Sequence, residues 1–235
     1  MTGRASAPDL LALHAIRLLG MATPERAARR FGLDPVAVSE LLLDFEAFGW
    51  VQYTEFAGTG GWSLTEAGRR ANEKQLADEL VSVGARAELV EIHRDFLPMN
   101  ARFLAVVTRW QVRPLHGEPH AANDHQDHRW DDRVLDDLAI CGRRLDAVGV
   151  RLTELLDRCD GYGARYLAAI ERATRGEAGW VDDMTRDSCH KVWFELHEDL
   201  ISSLGLTREN EAYRSEGQRS WAARSCTTPS GPPTP

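Results

Sequence analysis

Nowhere in the 235 residues do about 18 apolar residues run together, so nothing reads as a bilayer-crossing helix. The opening stretch MTGRASAPDLLALHAIRLLG lacks the long apolar segment and small-residue cleavage site of a secretory leader. We therefore expect a cytoplasmic protein with no membrane partner. Cysteine is sparse. Cys141, Cys159, Cys189 and Cys226 lie far apart with no CxxC pair, which argues against a zinc knuckle and a disulfide framework and leaves buried or incidental thiols. No P-loop, GxGxxG, GxSxG or HExxH pattern occurs, so the common nucleotide, hydrolase and metalloprotease chemistries find no support. Positive charge is short as well. The net charge is −8, and residues 1–80 hold eight bases against eleven acids. Affinity for a phosphate backbone comes mostly from Lys and Arg that displace counterions, so this balance argues against strong non-specific nucleic-acid binding. It leaves room for a local basic stripe in a dimer.

What the chain does have is helical grammar. Its 43% hydrophobic content supports a core for one large domain or two small ones. LLALHAIRLLG follows Pro8-Asp9, and its apolar residues recur at three- and four-residue spacings, which predicts a first helix capped by Asp9. TPERAARRF offers Thr23 as a cap, Pro24 at the first helical position and Gly32 as a stop. DPVAVSELLLDFEAFG repeats that order with Asp34, Pro35 and Gly49. Two short helices across a Gly32-Leu33 turn are a helix-turn-helix pattern. WVQYTEF and GWSL, joined by AGTGG, predict a β-hairpin, and LTEAGRR opens a longer helix behind Thr65.

The run from TPERAARRF through GWSLTEAGRR resembles the winged-helix domain of MarR-like bacterial transcription regulators. Farther on, FLAVVTRWQV, NDHQDHRWDDRVLDDL and HKVWFELHEDLISSLG resemble the carboxyl-terminal half of actinobacterial winged-helix regulators. The fold class expected is mainly α: a winged helix-turn-helix with a small hairpin wing over residues 1–83, then an all-α bundle for ligand binding or dimerisation over 84–221. A disordered tail is expected over 222–235, where ARSCTTPSGPPTP lacks apolar periodicity. The resemblance implies a homodimer with double-stranded DNA as partner. It would aim Pro35, Val36, Ser39, Glu40 and Leu43 at the bases and Gly58 to Gly61 at the minor groove. Arg26, Arg29, Arg30, Arg69 and Arg70 are the bases left to hold phosphates. The sequence departs from that pattern where it matters most, since SELLLDFEAFGW carries three acids and no Lys or Arg, and the wing TEFAGTGG has no base either.

Beyond the hairpin the pattern is helical again. RAELVEIHRDFLPMNARFLAVVTRWQV reads as one long helix with an interruption to be weighed at Pro98, and RPLHGEPHAANDHQDH as a polar loop. In the following helix Val134, Leu135, Leu138, Leu145, Val148, Leu152, Leu155 and Leu156 form an amphipathic stripe. YGARYLAAIERATRG gives a short helix, and GWVDDMTRDSCHKVWFELHEDLISSLG the last one.

Chemistry concentrates in two of these segments. The loop holds His116, His120, His125 and His128 with Glu118, Asp124 and Asp127, donors that suit a transition metal but also a solvated loop; lacking a helical frame, they lead us to assign neither metal nor cofactor. On the last helix His190, Phe194 and His197 share a face, with Trp193 alongside and Glu198 next to it. Such histidines act as acid or base, sense a ligand, or are hydrogen-bonded core residues. We place a small organic ligand between the long helix, the loop and the last helix, on Trp110, Gln111, Asn123, Asp124, His125, His190, Trp193, Phe194 and His197, walled by Phe96 and Phe103. The function expected first is a ligand-responsive regulator. The alternative is a winged helix that has lost DNA binding and keeps the pocket for binding or acid–base catalysis of isomerase or cyclase type, with His125, His190, His197 and Glu198 as catalytic candidates. A third option is a protein-interaction module.

Overall fold

The computed structural model describes residues 4–56, 58–115 and 117–208. His116, Cys226 and the segment expected as a tail lie outside them. Eight α-helices and one two-stranded antiparallel hairpin make up the described fold, which is mainly helical.

Three short helices come first: α1 (Pro8–Leu19), α2 (Pro24–Phe31) and α3 (Pro35–Ala47). Their starts follow local chemistry. Thr23 accepts from the Arg26 amide and Asp34 from the Val36 amide, each capping a helix whose first residue is proline. α1 departs from expectation, because Pro8 opens it behind Ala7; Asp9 lies inside the first turn, where its charge faces the positive end of the helix. Gly32 ends α2 in the left-handed conformation (φ +66°), which lets the chain turn directly into α3.

The hairpin strands β1 (Val51–Phe56) and β2 (Thr59–Leu64) pair with Val51 opposite Leu64 and Tyr53 opposite Trp62. Trp62 also exchanges two backbone hydrogen bonds with Ala22, at 3.0 and 2.9 Å, which ties the hairpin to the α1–α2 connection. α4 (Glu66–Val83) follows, capped by Thr65, whose oxygen accepts from the Gly68 amide at 3.1 Å. Its first turn lies so close to Trp50 that a Cβ on Gly68 would sit 1.9 Å from the Trp50 carbonyl oxygen, so only glycine fits there.

The second half is built from α5 (Arg86–Gln111), α6 (His128–Leu155), α7 (Tyr162–Thr174) and α8 (Cys189–Leu204), with a 3₁₀ turn at Asp157–Cys159. α5 runs unbroken through Pro98. The last helix is shorter than the sequence suggests. Residues 175–188 form turns, because Gly176 and Gly179 adopt positive φ, Asp183 accepts from the Thr185 amide at 2.8 Å, and Ser188 caps α8. No described helix is long and apolar enough to cross a membrane.

Two apolar cores result. One joins Leu13, Ile16, Val38, Leu42, Phe45 and Trp62, and the other runs from Leu80 through Phe96, Phe103, Leu138, Tyr166 and Trp193 to Leu204. They do not part cleanly at residue 83, because α8 returns to pack against both α4 and α1. What fills that return contact is charge.

Candidate functional site

The buried face of α8 toward α1 and α4 carries Lys191, Glu195, Asp199, Ser202 and Ser203 on a helix whose other positions are mostly apolar. Asp199 is the centre. His14 Nε2 lies 3.2 Å from its Oδ1, the Tyr162 hydroxyl donates to its Oδ2 at 3.0 Å, Ser203 Oγ donates at 3.3 Å, and Arg158 Nη1 closes on Oδ1. Arg158 spends its other donors on Glu79 and Ser203, and the second nitrogen of His14 meets Asn72 Oδ1 at 3.1 Å. Burial alone would raise the Asp199 carboxyl, but the charges of Arg158 and then His14, with their hydrogen bonds, hold it well below the usual carboxylate range. Cys159 also lies against Asp199, 3.9 Å from Oδ2, and burial pushes its thiol up. A carboxylate with this many donors, next to a thiol held protonated, acts as a clamp and not as a nucleophile's base.

A second carboxylate, Glu195, is fully buried and faces three cations: Arg165 at 2.8 Å, Arg30 at 3.4 Å and Lys191 at 3.5 Å. Burial lowers the Lys191 ammonium pKa, although Glu195 works against it. Lys191 also donates to the Leu18 carbonyl at 3.2 Å, and Arg17 bridges Glu198 at 2.9 Å and Glu73 at 3.0 Å. The two halves of the chain are therefore joined by a buried ionic seam. Such pairs add little net stability over an apolar contact, but they fix one geometry, because a misaligned charge would be buried unpaired.

The residues read as a ligand site come together only in part. Asn123, His125 and Trp110 do converge. Asn123 Nδ2 donates to the Trp110 carbonyl at 2.9 Å and to Asp131 Oδ1 at 2.8 Å, His125 Nδ1 lies 3.0 Å from Asp131 Oδ2, and the His125 and Trp110 rings are 4.5 Å apart. Since a carboxylate only accepts, Nδ1 is the donor in the His125–Asp131 pair. His125 is also the one non-glycine residue with positive φ (56°) among those described, held there by its amide donating to Asn123 Oδ1 at 3.2 Å. Asp124 instead turns back on the Gln126 amide, and Gln111 reaches Asp182 at 3.0 Å.

The last-helix residues lie elsewhere. Trp193 stacks on Phe103 at 4.2 Å, donates to Asn100 Oδ1 at 3.0 Å and belongs to the core, as do Phe96 and Phe103. His190 lies half-buried 6.1 Å from the Phe103 ring, and burial lowers its pKa against the pull of Asp182. His197, Phe194 and Glu198 gather on Arg208. It donates to His197 Nδ1 at 3.0 Å, lies 4.3 Å over the Phe194 ring and pairs with Glu198 at 3.7 Å. Cavities of about 620, 320 and 350 Å³ indent the surface beside α6–α7, α1–α2 and α1–α4, and none of the three is lined by Trp110, His125, His190 or His197. Among the described residues no three His, Cys, Asp or Glu side chains converge as metal ligands.

The residues read as DNA contacts divide as sharply. Val36 and Leu43 stand 67% and 57% exposed on the outer face of α3 with Pro35 and Glu40, while Ser39 is half-buried. Arg29, Arg69 and Arg70 are exposed, Arg70 pairing with Glu66 at 3.3 Å. Arg26 is half-buried with its charge acting on Asp187. Arg30 is turned inward, its side chain 6% exposed against Glu195, and so is not available to a phosphate on the outer surface.

Sequence reading missed His14, Asn72, Arg158, Tyr162, Glu195 and Asp199. One signal was present: Lys191, Glu195 and Asp199 recur every four residues in SCHKVWFELHEDLISSLG, a polar stripe on a helix with too little other polar surface to lie on the outside. Compared with known protein families, with curated proteins and with solved structures, the chain matches none.

Proposed function

We propose that the chain is a ligand-responsive transcription regulator of winged-helix type, acting as a cytoplasmic homodimer. α3 is the reading helix and the β1–β2 hairpin the wing. The observation that carries this reading is the placement of α3: it is buried on Val38, Leu42 and Phe45, leaves Val36, Glu40 and Leu43 facing outward, and leads directly into the hairpin anchored at Ala22. The ionic seam supports the responsive part, because it links α1, on which the reading head is packed, to the bundle through buried, hydrogen-bonded charges. Arg29, Arg69 and Arg70 are the bases left on the outside for phosphates.

With so few bases, affinity must come from direct readout. Fluorescence anisotropy on the DNA upstream of the protein's own gene should give sequence-specific binding near 10⁻⁸ M, roughly the ordinary range for specific sites. The slope of log K against log salt should be only about −5 for a dimer that places those three arginines on phosphates in each copy. Absence of specific binding below about a micromolar would remove the regulator reading. One observation favours a second reading: the outward face of α3 joins apolar Val36 and Leu43 to Glu40 and Asp44, a surface suited to a basic protein partner. Failure on DNA together with a saturable protein partner lost in Leu43→Asp would establish it.

A further inference from the structure

Between the amino-terminal segment, α1–α2 and the 3₁₀ turn lies a cavity of about 320 Å³ whose walls differ in charge. Its inner wall holds Arg30 and Ser6, its apolar side Leu11 and Phe31, and its exposed edge Asp157 and Asp160. Arg158 lines it too, but its nitrogens are taken by Glu79, Asp199 and Ser203. Arg30 differs. Its Nη2 is buried with no acceptor among the described residues, and Nε meets Glu195 as an ion pair without hydrogen-bond geometry. Ser6 Oγ is likewise buried and unbonded.

Charge points the same way. Glu195 is shared among Arg30, Arg165 and Lys191, and of these only Arg165 has a second carboxylate, Asp187, at 2.9 Å. One buried carboxylate and one exposed neighbour, set against three cations, leave the Arg30 side of the cavity with positive charge to spare. The guanidinium is also held in place, stacked 4.6 Å from the Phe31 ring and 4.7 Å from the Tyr162 ring, so its fork is oriented before any ligand arrives.

A bare carboxylate entering this cavity would satisfy Arg30 and Ser6 but pass Asp157 and Asp160, and a bare amine would meet the reverse problem. A molecule bearing both charges satisfies both walls. We propose that this cavity binds a small zwitterion, an α-amino acid with an apolar side chain, its carboxylate on Arg30 and Ser6, its ammonium toward Asp157 and Asp160, and its side chain on Leu11 and Phe31. The site touches the seam through Arg30 and Arg158, which places an effector next to the contact that joins the two halves. Binding there does not depend on DNA recognition, so failure of this proposal and failure of the regulator reading are separate results.

Titration calorimetry of the full chain with L-phenylalanine and L-leucine tests it, with phenylacetate and 2-phenylethylamine as ligands lacking one charge. Saturable binding is expected for at least one amino acid, with both single-charge compounds about tenfold weaker or more. Ser6→Ala and the double change Asp157→Asn with Asp160→Asn should each weaken binding about threefold to tenfold while the thermal midpoint without ligand stays put, because Ser6 Oγ makes no hydrogen bond and an asparagine side chain at 160 keeps the oxygen that accepts from the Gly161 amide. No saturable heat up to roughly 10 mM of either amino acid overturns the proposal, as does equal binding of a single-charge compound or undiminished binding in both variants.

Discussion

The molecule contains the same trio of side chains twice, in two settings. His14, Asn72 and Asp199 meet in the seam between the halves, and His125, Asn123 and Asp131 meet on the loop ahead of α6. In the seam both ring nitrogens are engaged and the histidine is fully buried. On the loop only Nδ1 is bonded among the described residues, and the side chain is 44% exposed. Setting, not composition, decides what such a trio can do. Surrounded by Arg158, Tyr162 and Ser203, it is a fastener; beside a half-buried Trp110 ring, it orders a loop and leaves an imidazole edge toward solvent.

The comparison breaks most readily at Asp199. Replacing it with alanine leaves Arg158 buried and short of its partner, and should cost about 3–5 kcal/mol in urea unfolding at neutral pH. A loss under about 1 kcal/mol would mean that the seam is hydrated and not a buried ionic contact. Acid sharpens the same point. The Asp199 carboxyl has a lower pKa folded than unfolded, so its contribution is present above about pH 4 and disappears as pH falls through the folded-state value. Stability curves of the wild type and Asp199→Asn should therefore converge in acid, and parallel curves would refute the assignment.

The loop trio should be cheaper to disturb. Asn123→Ala removes the donor shared by the Trp110 carbonyl and Asp131, at a cost of about 1–2 kcal/mol, with faster amide exchange confined to residues near 112–127. Exchange that rises throughout the chain would tie the loop to the global core. The smallest effect is at His190. Burial lowers its pKa, so the unfolded chain takes up the proton first once pH drops below about 6.5, and stability declines from there toward the folded-state value. His190→Gln should flatten that part of the stability profile, and an unchanged slope would assign it to another group.

Much of the fold could be read from the sequence because it rests on local chemistry. Thr23, Asp34 and Thr65 cap their helices, Gly32 stops α2, and the aromatic and β-branched runs pair as a hairpin. The errors came where a local signal competed with a stronger one nearby: Pro8 displaced Asp9 as the start of α1, and Gly179, Asp183 and Ser188 cut the last helix back to Cys189. The site was less legible. Asn123 and His125 are two residues apart, and their link to the end of α5 could be reasoned from proximity along the chain. Their true anchor, Asp131, lies one helical turn into α6 and looks like a surface acid until the fold buries it. The seam was hidden more deeply, since Arg30 and Arg158 have the sequence surroundings of exposed helix residues and acquire their roles only from partners far along the chain.

The pairing of His14 with Asp199 spans 185 positions. During synthesis at about 5–20 residues per second, α1 therefore waits roughly 10–40 s before the helix that neutralises its inner face exists. Through that interval His14 and Arg17 have neither Asp199 nor Glu198 to meet, and the amino-terminal half must stay open or be sheltered. Emergence of α8, not completion of the first half, is what brings these partners together.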